Sequence, residues 1–231
     1  MKKLLLTLLV SSILMSAYSQ TEKGKMFLGG QFSLSGNTNS MSDTLNRYDN
    51  HTTVLDITPN FGYFIADNLA LGVSLDFGVN NSNNHFENSA LSLSHTKNGS
   101  NDNTYIYGIG GFARYYVNIT DHFKFYTNFG LNYSLQLNKR TSFDNYPGDL
   151  NSPSTKYYQE YQLSLITLEI TPGLVYFVTP RIGMQAAFGN LNYTHSSSKD
   201  ITSSNDDYYS SSNYGINLNP LTLSLGLNYY F

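Results

Sequence analysis

Five ionisable residues, Asp56, Asp76, Arg114, Lys124 and Glu169, stand inside stretches whose alternate residues are apolar, always on the other parity. In an extended chain that parity turns all five to one face. Charges held on an enclosed face either neutralise one another through ion pairs and hydrogen bonds or form a path for a cation or proton. The expectation is the first, a lumen polar network, with a conducting path as the alternative. Counted from the nearest tight turn, the three acids share a height, and Arg114 and Lys124 lie nearer the turns. A second constellation is His195 and Ser197, a base and a hydroxyl two residues apart as a nucleophilic pair requires. No Glu follows Ser197, and a Ser-rich stretch yields such a pair readily, so no catalytic residue is assigned. His51, His85, His95, His122 and His195 show no close metal-ligand spacing, so neither a metal site nor a cofactor is expected. The segment DITSSNDD, residues 200–207, carries oxygens suited to a hard cation but reads as a solvated loop.

The elements that position these groups are strands. The chain has 231 residues, a length that one large β domain can occupy. Charged residues make up only 13%, while Tyr (20) and Phe (14) are abundant, and Cys is absent, which excludes disulfides and thiolate metal sites. A formal net charge of -3 without a basic stripe argues against nucleic acid. Residues 1–19, MKKLLLTLLVSSILMSAYS, combine Lys2 and Lys3, an apolar core and small residues at Ala17 and Ser19. This is the pattern of a cleaved signal peptide, too short for a membrane helix. The expected domain is 20–231.

Eight runs of period two follow. The third, LALGVSLDFGVN, sets Leu69, Leu71, Val73, Leu75, Phe77 and Val79 against Ala70, Gly72, Ser74, Asp76 and Gly78. Tight turns (ADN, NITDH, TPR) join runs two to three, four to five and six to seven. Long Asn/Ser/Asp-rich segments join the rest, and they read as loops. An even strand number, short turns at one end and long loops at the other describe an all-β, eight-stranded antiparallel up-and-down transmembrane barrel. A soluble eight-stranded barrel would reverse the faces and charge the exterior, whereas here the face opposite the apolar one is Gly, Ser, Asn, Thr and Gln. Such a lumen has room only for its own side chains. Pro59, Pro172 and Pro220 fall inside runs, where the missing N–H predicts bulges. An aromatic ending recurs at Tyr63-Phe64, Tyr115-Tyr116, Tyr176-Phe177 and Tyr229-Tyr230, just before a short turn or the last residue, as interfacial rings would.

YFIADNLALGVSLDFG and LSLGLNYYF resemble the hairpin and closing strand of the outer membrane protein beta-barrel domain family, which includes the small OmpX-like and OmpA-like eight-stranded barrels. The resemblance covers residues from about 24 to 231. It implies the cell outer membrane of a diderm bacterium, outer-membrane lipid around a monomer, and periplasmic chaperones with the barrel assembly machinery as transient partners. It also implies that Tyr229 and Phe231 form the C-terminal assembly signal. Activity is not implied, since the fold serves adhesion, catalysis and structure alike. Some runs exceed the ~9 to 11 residues that cross a bilayer. Hairpins above the surface, with Tyr-rich tips such as STKYYQEY and DDYYSSSNY, therefore suggest a structural, surface-contact or adhesion role without catalysis. A narrow channel and a lipid-modifying enzyme are the alternatives. The enzyme reading is the weaker: outer-membrane lipid A deacylases carry a similar His-x-Ser, but the Asn expected after the Ser is Ser198 here.

Overall fold

A computed structural model describes residues 20–88, 96–145, 155–201, 208–217 and 223–231. The described residues form ten strand segments: β1 Met26–Ser42, β2 Asn46–Ala66, β3 Leu69–Asn88, β4 Thr96–Asn118, β5 Phe123–Asn145, β6 Thr155–Thr179, β7 Ile182–Phe188, β8 Asn190–Asp200, β9 Tyr208–Asn217 and β10 Leu223–Tyr230. Antiparallel ladders assemble them into eight staves, because β7 continues into β8 and β9 precedes β10 in the last stave. Each stave pairs with its chain neighbour, and β10 closes the ring on β1, with Phe27 opposite Tyr230 and Phe32 opposite Leu225. Met26 and Phe231 exchange both backbone hydrogen bonds at the seam, at 2.8 and 2.9 Å. Closure removes the sheet's edges there, as expected for a barrel.

Three short turns gather at one end. Asn68 takes a left-handed conformation (φ 62°) in the turn after β2, a role for which Asn is suited. Thr179 accepts the N–H groups of Arg181 and Ile182 through its hydroxyl in the turn after β6. At the other end the strands run further than hydrophobic alternation indicates. β1 reaches Ser42 and turns through Asp43, whose carboxylate accepts the N–H groups of Leu45 and Asn46. Residues 37–53, read above as loop, are therefore a hairpin, as are large parts of the other polar segments. Both of their faces are polar, so period two vanishes from the sequence while the ladder persists.

Pro59 and Pro172 behave differently. Pro59 makes no bulge: the β2–β3 register is the same on either side of it, from Ile57 opposite Phe77 to Asn60 opposite Ser74, and the ladder skips only Thr58 and Pro59. At Pro172 the register does slip, but on the partner stave. Gly173 faces Ala187 while Ile170 faces Leu191, so the seventh stave carries one extra residue at Gly189, whose φ is 66°. Pro220 lies outside the described residues.

In the long-hairpin half, no ladder joins β9 to β1 among the described residues. β9 pairs with β8, and Ser33–Ser42 of β1 pairs with β2 alone.

Candidate functional site

The space inside the ring divides into a floor and a vestibule. The floor is aromatic. Phe27, Phe64, Phe112, Tyr116, Tyr126, Phe177 and Tyr230 all point inward near the short turns and are buried together. Their ring centroids stand 5.0 to 6.4 Å apart in tilted pairs, a favourable geometry for aromatic contact. Rings this large fit because a glycine on the next strand yields the space. Gly62 lies under Phe27, Gly72 under Phe112 and Gly173 under Tyr126, and a Cβ at any of the three would collide with the ring.

Arg114 is 3% exposed and set into this floor. Its guanidinium carbon lies 5.3, 5.1 and 4.7 Å from the ring centroids of Phe27, Phe112 and Tyr126, within cation–π range. Its N–H groups donate to Asn128 Oδ1 (3.2 Å) and Gln185 Oε1 (3.1 Å). Gln185 Oε1 also accepts from Asn228 Nδ2 at 2.8 Å. Lys124 sits lower, its Nζ donating to the Thr21 hydroxyl at 2.7 Å. Buried Thr21 and Gln20 tuck the start of the described chain beneath the floor.

Above the floor is a cavity of about 500 Å³, lined among others by Asp56, Asp76, Glu169, Asn60, Asn132 and Arg114. The lumen is therefore not filled by its own side chains, contrary to the expectation from strand number. Inward Gly, Ser, Thr and Asn are too small to fill it. The acids also lie against the wall: Asp56 beside Gly78, Asp76 beside Gly108 and Glu169 beside Gly130, each a glycine on a neighbouring strand.

All five predicted charges face the interior, and four line the vestibule; Lys124 belongs to the layer beneath. The expected ion pairs among them are not formed. Arg114 and Lys124 are satisfied by amides, rings and a hydroxyl, and Glu169 accepts from Asn132 Nδ2 at 3.1 Å. Sequence reading missed the floor altogether, although its signal was the recurring aromatic doublet. The first rings, Tyr63, Tyr115, Tyr176 and Tyr229, are 43–51% exposed on the outside, while the second, Phe64, Tyr116, Phe177 and Tyr230, are at most 2% exposed inside. His195, on the outer face of β8, bonds through Nδ1 to the Ser212 hydroxyl at 3.0 Å. No cluster of three metal-ligating side chains occurs among the described residues.

Around this interior runs a continuous apolar exterior. Leu28, Phe32, Val73, Ile109, Leu131 and Leu168, from five different staves, are each 51–58% exposed. Water would not tolerate an apolar surface that circles the molecule, whereas a bilayer core is its natural solvent, and the ring of ladders closed by β1 and β10 pairs the backbone among its own strands. The chain is an eight-stranded outer-membrane-type β-barrel.

No family model matches the barrel's sequence, and no curated protein matches it. Among solved structures it is similar to Neisserial surface protein A (16% identity, TM-score 0.36, covering 90% of this chain and 100% of that one). It is similar also to the outer membrane protein OprG from Pseudomonas aeruginosa (15%, TM-score 0.38, 92% and 98%). A third is Ail, the attachment invasion locus protein of Yersinia pestis (11%, TM-score 0.34, 90% and 99%). At these values nothing about activity is carried over, and the barrel rests on its own ladders and belt.

Proposed function

We propose that the barrel is a non-catalytic surface-contact protein of the bacterial outer membrane, with its short turns in the periplasm and its hairpins outside. One observation carries this reading: in the extracellular half the facing edges of β1 and β9 have no ladder between them among the described residues. Unpaired strand edges are templates for strand addition by a partner chain. They belong to a raised rim, because β2 to β6 continue some eight to eleven residues past their last lipid-facing apolar residues, or roughly 20 Å at ~3.3 Å per residue with barrel tilt. Polar bonds stiffen that rim: Asn50 to Asn84, Asn81 to Asn103, and Arg140 to both carboxylate oxygens of Asp102. Tyr209 and Tyr214 on β9 stand 73% and 90% exposed, side chains well suited to adaptable contacts.

The channel reading is opposed by the aromatic floor, whose rings are buried together around Arg114. Export through a cleaved leader, handling by periplasmic chaperones and the assembly machinery, and recognition of Tyr229 and Phe231 by that machinery belong to this proposal. Tyr229 and Phe231 stack at 6.0 Å on the lipid side of the closing strand, where such a reader would meet them.

The test compares cells displaying the wild type with cells displaying Asn37→Lys/Tyr209→Lys, which place charges on the two edges. Wild-type cells should gain attachment to other cells or coated surfaces, and the variant, at equal surface level, should lose most of the gain. Equal attachment by both, or stepwise conductance of the wild type in planar bilayers, would overturn the reading.

A further inference from the structure

The first described residues are packed beneath the floor. Thr21 is wholly buried, and Gln20 is only 9% exposed. Thr21 is pinned by three bonds: its carbonyl accepts the Asn68 N–H at 2.7 Å, and its hydroxyl donates to Asn68 Oδ1 at 2.5 Å and accepts from Lys124 Nζ at 2.7 Å. Gln20 is therefore held one residue away from a buried ammonium, since Lys124 is 3% exposed and its Nζ lies 5.8 Å from the centre of the Phe177 ring.

Removal of residues 1–19, the leader cleavage proposed above on which this inference rests, makes Gln20 the first residue of the chain. The cut creates an α-amino group, which is mostly protonated at neutral pH because its ordinary pKa is about 7.7–8.0. Successive Cα atoms are only ~3.8 Å apart, so that charge would stand close to Lys124 in a place withdrawn from water. Like charges repel strongly there, and an ammonium needs acceptors for three N–H groups. The carboxylate of Glu22 already acts on Lys124, and Lys23 and Lys25 add two further cations to the same segment.

We propose that Gln20 is a modification site, an N-terminal glutamine that closes to pyroglutamate. The α-amino nitrogen attacks Cδ of the residue's own side-chain amide. The N–Cδ bond forms, the Cδ–Nε2 bond breaks, and one amine proton leaves with Nε2 as ammonia. No electrons are transferred and no co-reactant is consumed. The product is a neutral five-membered lactam with one N–H donor, so the repulsion of Lys124 and the demand for three acceptors both disappear. Both reacting groups belong to one residue, so the ring closes on the unfolded chain after the cut and is buried when the barrel forms.

Mass spectrometry of the barrel purified from outer membranes tests it, read on the chymotryptic peptide of residues 20–27. The peptide should be lighter than its open form by one ammonia and should resist amine labelling. A synthetic peptide of the same sequence with isotope-labelled Gln, added before digestion, should stay open; closure of this standard to the same extent would overturn the proposal. A peptide that begins at Gln20 with a free amine overturns it while the leader reading stands, whereas absence of any peptide beginning at Gln20 overturns both. Gln20→Ala leaves an amine that cannot close and should shift the folding equilibrium against the barrel about tenfold. Most of that shift should vanish in the Lys124→Met background, and an equal shift in both backgrounds would refute the role of charge.

Discussion

Phe27 is the floor residue whose loss can be worked out most fully. It is wholly buried, and its ring meets Phe64 at 5.8 Å, Phe112 at 6.2 Å, Tyr230 at 5.5 Å and the Arg114 guanidinium at 5.3 Å. Truncating a buried Phe to Ala costs about 3–5 kcal/mol. The three ring contacts and the cation place this site at the upper end of that range, since each aromatic pair is worth roughly 0.5–1.5 kcal/mol beyond its burial. Phe27→Ala is therefore expected to lower the unfolding free energy by about 4–5 kcal/mol, roughly a thousandfold in the folding equilibrium at 1.4 kcal/mol per tenfold. The assay is equilibrium urea unfolding in lipid vesicles, followed by the gel mobility of unheated samples. Leu28→Ala is the internal control: the neighbouring residue points into lipid and touches no floor ring, so it forfeits only the lipid-to-water transfer of its side chain and should cost about 2 kcal/mol. A loss below about 1 kcal/mol for Phe27→Ala, or equal losses for the two variants, would refute a packed floor that closes the barrel.

The glycines beneath the rings give a paired expectation. Gly173→Val forces a branched side chain into the Tyr126 ring and should destabilise by more than about 2 kcal/mol, whereas Gly111→Ala, whose nearest neighbour would be a carbonyl at 3.8 Å, should be neutral in the same unfolding assay. In planar bilayers the wild type should be silent, and Phe27→Ala/Tyr126→Ala/Arg114→Ala should show measurable conductance; a silent triple variant that folds would place the constriction elsewhere. Arg140→Ala removes the paired bonds to Asp102 at the rim and should cost about 1 kcal/mol, seen as faster cleavage of the β4–β5 hairpin by protease added to intact cells. At the β1–β2 hairpin tip, the N–H of Leu45 and then the Asn46 side chain hold the Asp43 carboxyl below the usual aspartate range. A depressed carboxyl stabilises the turn above its unfolded pKa and loses that contribution as pH falls through the folded one. Amide exchange at Leu45 and Asn46 should thus accelerate in acid and be insensitive to pH change near neutrality beyond the intrinsic rate.

The barrel was legible wherever one face meets lipid, because a belt residue such as Val73 or Leu131 must be apolar and its neighbours on the strand must not be. The same logic explains what was hidden. Above the belt both faces meet water, so residues such as Asn80–Asn88 carry no alternation although they pair in register with β2 and β4. Inside the belt the polar parity suggested a lumen full of ion pairs, but parity says only which way a side chain points. Whether Arg114 meets Glu169 or an aromatic ring depends on height along the stave, and height is set by the stagger between strands, which no single run encodes. The proline reading failed at Pro59 for a related reason. A barrel ladder tolerates two missing rungs when both neighbouring registers hold, so a missing N–H need not produce an extra residue.

The aromatic doublets tie the belt to the floor. At each recurrence two successive rings lie at one height on opposite faces, the first at the lipid boundary and the second in the floor. A Tyr-aromatic pair thereby fixes the depth of the barrel in the bilayer and the level at which its interior is closed. Four staves repeat the device, so the floor is level with the interface near the short turns, and everything above it opens only toward the hairpins. The distribution of charge follows that division. Arg114 can be buried in the floor because ring faces and amide oxygens replace its hydration, but those same partners withdraw it from the carboxylates above. Had the floor been aliphatic, the guanidinium would have had to turn upward to Asp76 or Glu169, and one of the three acids would have had its counter-charge. An aromatic floor is thus the physical reason that the acids of the vestibule stand without a cation of their own.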